Sequence, residues 1–280
     1  MSSTVLDQTT CTNCGAPLAG PYCGACGQKV APLNPSIGDF LHELSHELLH
    51  LDGKIFRSLR LFLTAPGTLT REQFAGRRAA FVSPIRLYLT FSVLYFAVAA
   101  LTPGTGLQIT VSGKRASGFT LSTQPERRES DPAELRRLGF ESQEKLAETA
   151  SEAIAHWTPR ALFLLVPVFA AMIGVIVRRS ERNYPQQLYF ALHVHAAWFL
   201  ILALATVTRF LPPAPSTLSL VVPGWMLVYL VLALRRAYDL SIVGALWRSL
   251  LVTAVYSVVL VAALASIVLP AVLRHGAGGG

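Results

Sequence analysis

The sequence predicts an all-α membrane protein: five transmembrane helices, a small amino-terminal cytosolic zinc ribbon and juxtamembrane amphipathic helices. Three observations carry this prediction. Hydrophobic residues make up 52% of the chain and charged ones 14%, with a mean hydropathy of +0.46. The charges fall between long apolar runs, as their exclusion from hydrocarbon requires. All four cysteines lie within the first 26 residues. The organising stretch is 51–101, whose first half is basic and amphipathic and whose second half reads as a membrane span, with Arg86 near its start.

The net charge of +8 raises nucleic acid as a partner. In so apolar a chain the plainer partners are the bilayer and its anionic headgroups, met by cytosolic Lys and Arg that also fix topology. The first ten residues carry neither a basic n-region nor an apolar h-region, so the amino end is expected in the cytosol. Thiols there stay reduced, and clustered cysteines read as metal ligands.

Residues 1–29 form the expected ribbon. Cys11-Thr-Asn-Cys14-Gly15 and Cys23-Gly-Ala-Cys26-Gly27-Gln28 are two C-x-x-C-G knuckles separated by eight residues. A glycine after each second cysteine lets the backbone turn so that amide N–H groups approach the sulfur. Four thiolates at this repeat suit a closed tetrahedral Zn²⁺ site, structural rather than catalytic. Two disulfides, bound iron or a redox pair are the competing readings. So small a module buries no core of its own, so the metal supplies most of its folding free energy. A protein partner is expected at its surface.

Residues 30–83 are expected to be cytosolic interfacial helices. After a linker with Pro32 and Pro35, Ser36 can cap a helix with a stripe at Ile37, Phe40, Leu41, Leu44, Leu48 and Leu51. The pattern resumes at Ile55, Phe56, Leu59 and Phe62 or Leu63, interleaved with Lys54, Arg57 and Arg60, as in helices that lie in a membrane interface. Ala65-Pro66-Gly67 ends this helix, a shorter one follows over 68–74, and Gly76-Arg77-Arg78 leads into the first span. His42-Glu43-Leu-Ser-His46 spells the zincin string, with both imidazoles on one helix face and Glu43 in the general-base position. No third ligand is identifiable, unless His50 or Glu47 folds back. The alternative is a polar helix face that docks on the ribbon.

Residues 84–280 are the expected bundle, with spans near 84–101, 161–177, 188–211, 218–234 and 250–273 and an external loop 102–160. At ~1.5 Å per residue these lengths match a hydrocarbon core of ~30 Å. Arg178, Arg179, Arg182, Arg235, Arg236 and Arg248 fall in short segments on the side of the amino end, against Arg209 and Arg274 on the other. The amino end is therefore placed inside and the carboxyl end outside. In the long loop, Asp131-Pro-Ala-Glu134 is a helix start, with Asp as N-cap, Pro at N1 and Glu at N3. Within the third span, His193 and His195 are ionisable at lipid depth, which marks a functional site unless each is satisfied inside the bundle. Being two apart, they do not share a helix face, so one metal held by both is not expected.

The order of these features resembles the bacterial DUF3667 proteins, membrane proteins of unknown function with an amino-terminal zinc ribbon. The matching pieces are CTNCGAPLAGPYCGACGQ, HLDGKIFRSLRLFLTAPGTLTREQFAGRRAAFVSPIRLYLTFSVLY, ALFLLVPVFAAMIGVIVRR and NYPQQLYFALHVHAAWFLIL. The resemblance implies that Asp52, Gly53, Pro66, Gly67, Gly76, Arg78, His193, His195 and the cysteine quartet recur, and it implies the bacterial inner membrane as location. It implies no known activity, and the H-E-x-x-H string is not part of its pattern. These readings favour a non-enzymatic docking, regulatory or lipid-sensing protein. The competing classes are a membrane-embedded zinc metalloprotease using His42, Glu43 and His46, and a small-molecule or lipid transporter using the His193/His195 region.

Overall fold

The structure, a computed structural model, describes residues 9–31, 35–40, 54–102, 143–177, 182–208 and 218–277. Among them every regular element is a helix, and the only strand-like pairings are isolated bridges at Thr10–Pro17 and Tyr22–Lys29 in the ribbon. The helices are α1 (Ile55–Thr64), α2 (Thr68–Phe74), α3 (Pro84–Leu101), α4 (Gln143–Ile176), α5 (Tyr184–Val207), α6 (Leu218–Ala237) and α7 (Ile242–Ala277).

Three helices are long and apolar enough to cross a membrane: α3, α5 and Ile242–Leu273 of α7; Phe163–Ile176 within α4 is a shorter apolar stretch. Their surfaces argue for lipid more strongly than their lengths do. Val243 and Val258 of α7 are 70% and 69% exposed, and Leu164 of α4 is 70% exposed. Water does not tolerate so continuous an apolar face on a monomer. α5 is the exception, buried all round from Pro185 to Leu200 apart from the half-buried Trp198, because α3, α4, α6 and α2 all pack on it.

Local chemistry sets the boundaries. Ser36 caps the helical turn at 37–40 as expected, its hydroxyl accepting from the Asp39 amide while the Asp39 carboxylate accepts from the Ser36 amide. α3 opens on Ser83 with Pro84 at N1 and covers the expected residues. α5 begins four residues before the expected span because Asn183 and Gln186 close a capping box around Pro185. The Asn183 side-chain Nδ2 also donates to the Pro35 carbonyl at 2.8 Å, tying the linker to the bundle. α4 is longer than the expected second span and runs without a break from Gln143. α7 likewise starts eight residues before the expected fifth span, because Ser241 caps it directly after the turn that ends α6. The Asp131 helix start lies outside the described residues.

The α1–α2 pair is wedged into the bundle as a hairpin. Phe62 of α1 is buried, stacked on Phe91 of α3 at 5.6 Å and edge-on to Tyr229 of α6 at 5.9 Å. The chain reverses at Pro66-Gly67. Gly67 has φ +83, and a Cβ there would lie 2.5 Å from the Ala233 carbonyl oxygen. Both facts demand glycine. Gly67→Ala is therefore expected to destabilise the fold by roughly 2–5 kcal/mol, through left-handed strain plus overlap with a backbone that cannot yield. Thermal unfolding in detergent reads this. Gly224→Ala in α6, where nothing lies within 4 Å, should be neutral or slightly stabilising in the same assay.

Candidate functional site

The four cysteines converge as expected. Their sulfurs all lie within 4.8 Å of one another, with Cys11 Sγ to Cys26 Sγ at 3.7 Å and Cys14 Sγ to Cys23 Sγ at 3.6 Å. A tetrahedron with metal–sulfur bonds of ~2.3 Å has edges of ~3.8 Å. The donor set fits a metal ion. Among the described residues it is the only His/Cys/Asp/Glu group that can hold one.

Each knuckle repeats the same backbone pattern twelve residues on. Gly15 N–H donates to the Cys11 carbonyl and Gly27 N–H to the Cys23 carbonyl, both at 2.8 Å, with the glycines at φ +76 and +72. The Cys11 amide donates to the Ala16 carbonyl, and the Cys23 amide to the Gln28 carbonyl. The amide N–H groups of Cys26 and Ala25 converge on the Cys23 sulfur and draw its thiol down to about 7, while Cys14, sharing hydrogen bonds with the other sulfurs, is pushed up to about 12.

The second knuckle also fixes Gln28, whose side chain leaves the ribbon. Its Nε2 donates to the Gly76 carbonyl at 2.7 Å and to the Thr12 hydroxyl at 3.2 Å. Its Oε1 accepts from the amides of Arg78 and Ala79 at 2.9 and 3.0 Å. The Thr12 hydroxyl donates to the same Gly76 carbonyl at 3.0 Å. One side-chain amide thus satisfies both the donors and the acceptor of the turn after α2.

That turn is rigid in its own right. Gly76, at φ +72, donates to the Gln73 carbonyl and Arg77 N–H donates to the Glu72 carbonyl, the paired closure of a Schellman motif. The Arg77 guanidinium grips the Glu72 carboxylate through two bonds of 2.6 and 2.7 Å. This pairing holds the Glu72 carboxyl below its ordinary range, so its support is in place at neutral pH and is lost on acidification through that lowered value.

At the other end of α2 the hairpin reaches the intramembrane histidines. The Thr70 hydroxyl lies 2.9 Å from His193 Nδ1, both residues buried. His193 Nε2 is buried with no partner among the described residues. His195 is the opposite case. Its Nδ1 donates to the Ala191 carbonyl at 2.9 Å, its Nε2 accepts from the Tyr256 hydroxyl at 2.8 Å, and Phe169 and Trp198 pack around the ring. The two imidazoles serve different neighbours, as their spacing predicts. Arg78 sits at the ribbon contact rather than beside the histidines. Asp52 and the His42, Glu43, His46 string lie outside the described residues.

Residues 52–96 match the DUF3667 family, described as a protein of unknown function. The DUF3667 segment is thus the hairpin α1–α2, its closing turn and most of α3, the part of the chain that touches both the ribbon and His193. No curated protein and no solved structure matches the chain. Sequence reasoning did not single out Gln28, Thr70 or Tyr256. A glutamine, a threonine and a tyrosine at long separation form no local pattern; only the position of Gln28, inside the knuckle closure, was a usable hint.

Gln28→Leu is expected to speed hydrogen exchange at the Arg78 and Ala79 amides about tenfold, the loss of one net hydrogen bond at each, with metal content unchanged. Each histidine should show its partner in a double-mutant cycle read by detergent melts. His195→Phe strands the Tyr256 hydroxyl and costs about 1–3 kcal/mol, recovered when Tyr256→Phe is added, and His193→Leu strands the buried Thr70 hydroxyl at a similar cost, recovered when Thr70→Val is added.

Proposed function

We propose that this chain is a non-enzymatic integral membrane protein in which a zinc-clasped cytosolic ribbon controls the set of a membrane-inserted hairpin, as a docking or regulatory module responsive to lipid. The observation that carries the reading is the Gln28 latch. The residue that closes the second metal knuckle also completes the turn at Gly76–Ala79. Ordering of the ribbon by metal is therefore coupled to ordering of the DUF3667 hairpin, and through Thr70 to His193.

Zinc is the assigned ion because four thiolates in a closed tetrahedron suit it and leave no position for substrate, which makes the centre structural. The fold is assigned five crossings, with Phe163–Ile176 of α4 and the apolar part of α6 joining the three longer spans. The arginine bias of the short segments supports a cytosolic amino end and an outer carboxyl end, and the family resemblance supports a bacterial inner membrane. A protein partner at the ribbon belongs to this reading, and Tyr22, 59% exposed there, is the side chain it would meet. A transporter working through His193 is the second reading, favoured by the unpartnered Nε2 alone.

The purified chain should hold one zinc, lost in Cys11→Ser. Chelation should raise exchange at the Arg78 and Ala79 amides to the level of Gln28→Leu while α5 stays protected. Unchanged exchange at the hairpin after metal removal would overturn the coupling.

A further inference from the structure

At the end of α6 the chain forms a cleft of about 380 Å³ lined by Leu232, Arg235, Arg236, Asp239 and Leu240. Arg235 and Arg236 occupy the last helical turn, where the free carbonyls of α6 favour cations. Arg71 of α2, outside this lining, reaches Asp239 at 3.7 Å. Three guanidinium groups thus meet one carboxylate, and the site carries an excess of positive charge. Arg236 spends one N–H on the Pro66 carbonyl at 2.6 Å, whereas Arg235 is exposed and has no partner among the described residues.

Asp239 is the unusual member. It stands at φ 49, a left-handed position after the helix end, where Leu240 N–H donates to the Arg235 carbonyl at 3.0 Å, the outer bond of a Schellman motif. Glycine or asparagine is the ordinary occupant of that position. An aspartate there keeps a carboxylate over the cleft, loosely paired and displaceable by another anion.

We infer that this cleft is a binding site for the phosphate of an anionic phospholipid. The guanidinium fork matches phosphate oxygens. The two leucines set an aliphatic wall under the charge, which suits the glycerol and ester region of a lipid and does nothing for a free ion. On the membrane reading above, on which this inference rests, the cleft lies where α6 leaves the hydrocarbon, at headgroup level on the inner side. A lipid held there bridges α6 to Arg71 of the hairpin, so the same ligand would steady the DUF3667 segment from the side opposite the ribbon.

The test uses the full-length protein in neutral detergent, titrated with phosphatidylglycerol, phosphatidylcholine or inorganic phosphate and read as lipid retained in native mass spectra. Phosphatidylglycerol should be retained over phosphatidylcholine. Arg235→Gln should weaken that retention roughly five-fold, the effect of one cation at a membrane surface. Asp239→Asn removes the competing carboxylate while keeping a residue that accepts the left-handed conformation, and should strengthen it. A merely structural role for the cleft predicts loss in both variants. Equal retention of the two lipids, an unaffected Arg235→Gln, or weakening in Asp239→Asn would overturn the site. Displacement of the lipid by inorganic phosphate would overturn the lipid assignment in favour of a free anion. Zinc content and hairpin exchange, measured on the same samples, test the ribbon coupling separately.

Discussion

The hairpin can enter the bundle only because the chain reverses against bare backbone. At Gly67 the peptide turns with φ +83 so close to Ala233 that a side chain would overlap the α6 carbonyl. This contact sets the depth of α2, and with it everything the DUF3667 segment touches. It brings Thr70 level with His193 and leaves Gly76 at the height of the ribbon. The Pro66 carbonyl, freed by the reversal, is taken by Arg236. A residue without a Cβ and a neighbouring carbonyl with a guanidinium partner therefore act together: one permits the approach, the other removes its polar cost.

Placing a hairpin among lipid-facing helices raises the question of where its polar groups go. Near hydrocarbon an unsatisfied amide or hydroxyl is expensive, since water is not there to replace the lost bond. The answers are specific. The Ser58 hydroxyl accepts from the Val82 amide at 2.8 Å, at the point where the chain has lost the helical ladder before α3. The Tyr238 hydroxyl donates to Gln187, and Gln186 completes the cap of α5. Phe74 packs edge-on to Tyr238 while the Arg182 guanidinium covers its ring at 4.5 Å. These contacts lie near the ends of α5 and α6 that meet the hairpin, and together they make a polar layer between the ribbon and the apolar bundle.

Much of this was legible in the sequence, and what was legible was local. The cysteine repeat, the Ser36 cap, the 68–74 helix and the first span are short-range patterns, and the chain folds them as read. Span limits were less legible where a cap overrides hydropathy. The Asn183–Gln186 box draws α5 back into polar residues, and the Ser241 cap does the same for α7. An amphipathic basic helix reads as interfacial, but periodicity records only that α1 has one apolar face. It does not say whether that face meets lipid or, as with Phe62, two other helices. The ribbon contact was illegible for the same reason. Gln28 is neutral, common in loops, and joined to residues about fifty positions away through backbone groups that every sequence has.

The two histidines show how far such a structure separates groups that the sequence treats alike. Both are buried on one helix, two residues apart, and hydropathy penalises both equally. His195 has a carbonyl on one nitrogen, a phenol on the other and aromatic rings around it, so its position is explained by packing and hydrogen bonding alone. His193 has a hydroxyl from the hairpin on one nitrogen and, among the described residues, no partner on the other. Its Nδ1 is accounted for by the buried Thr70 hydroxyl, which a leucine would strand, while the buried Nε2 carries the cost of a polar atom without a partner. Of the two, His193 is the one that ties α5 to the hairpin, and the Thr70 hydroxyl is the contact that does so.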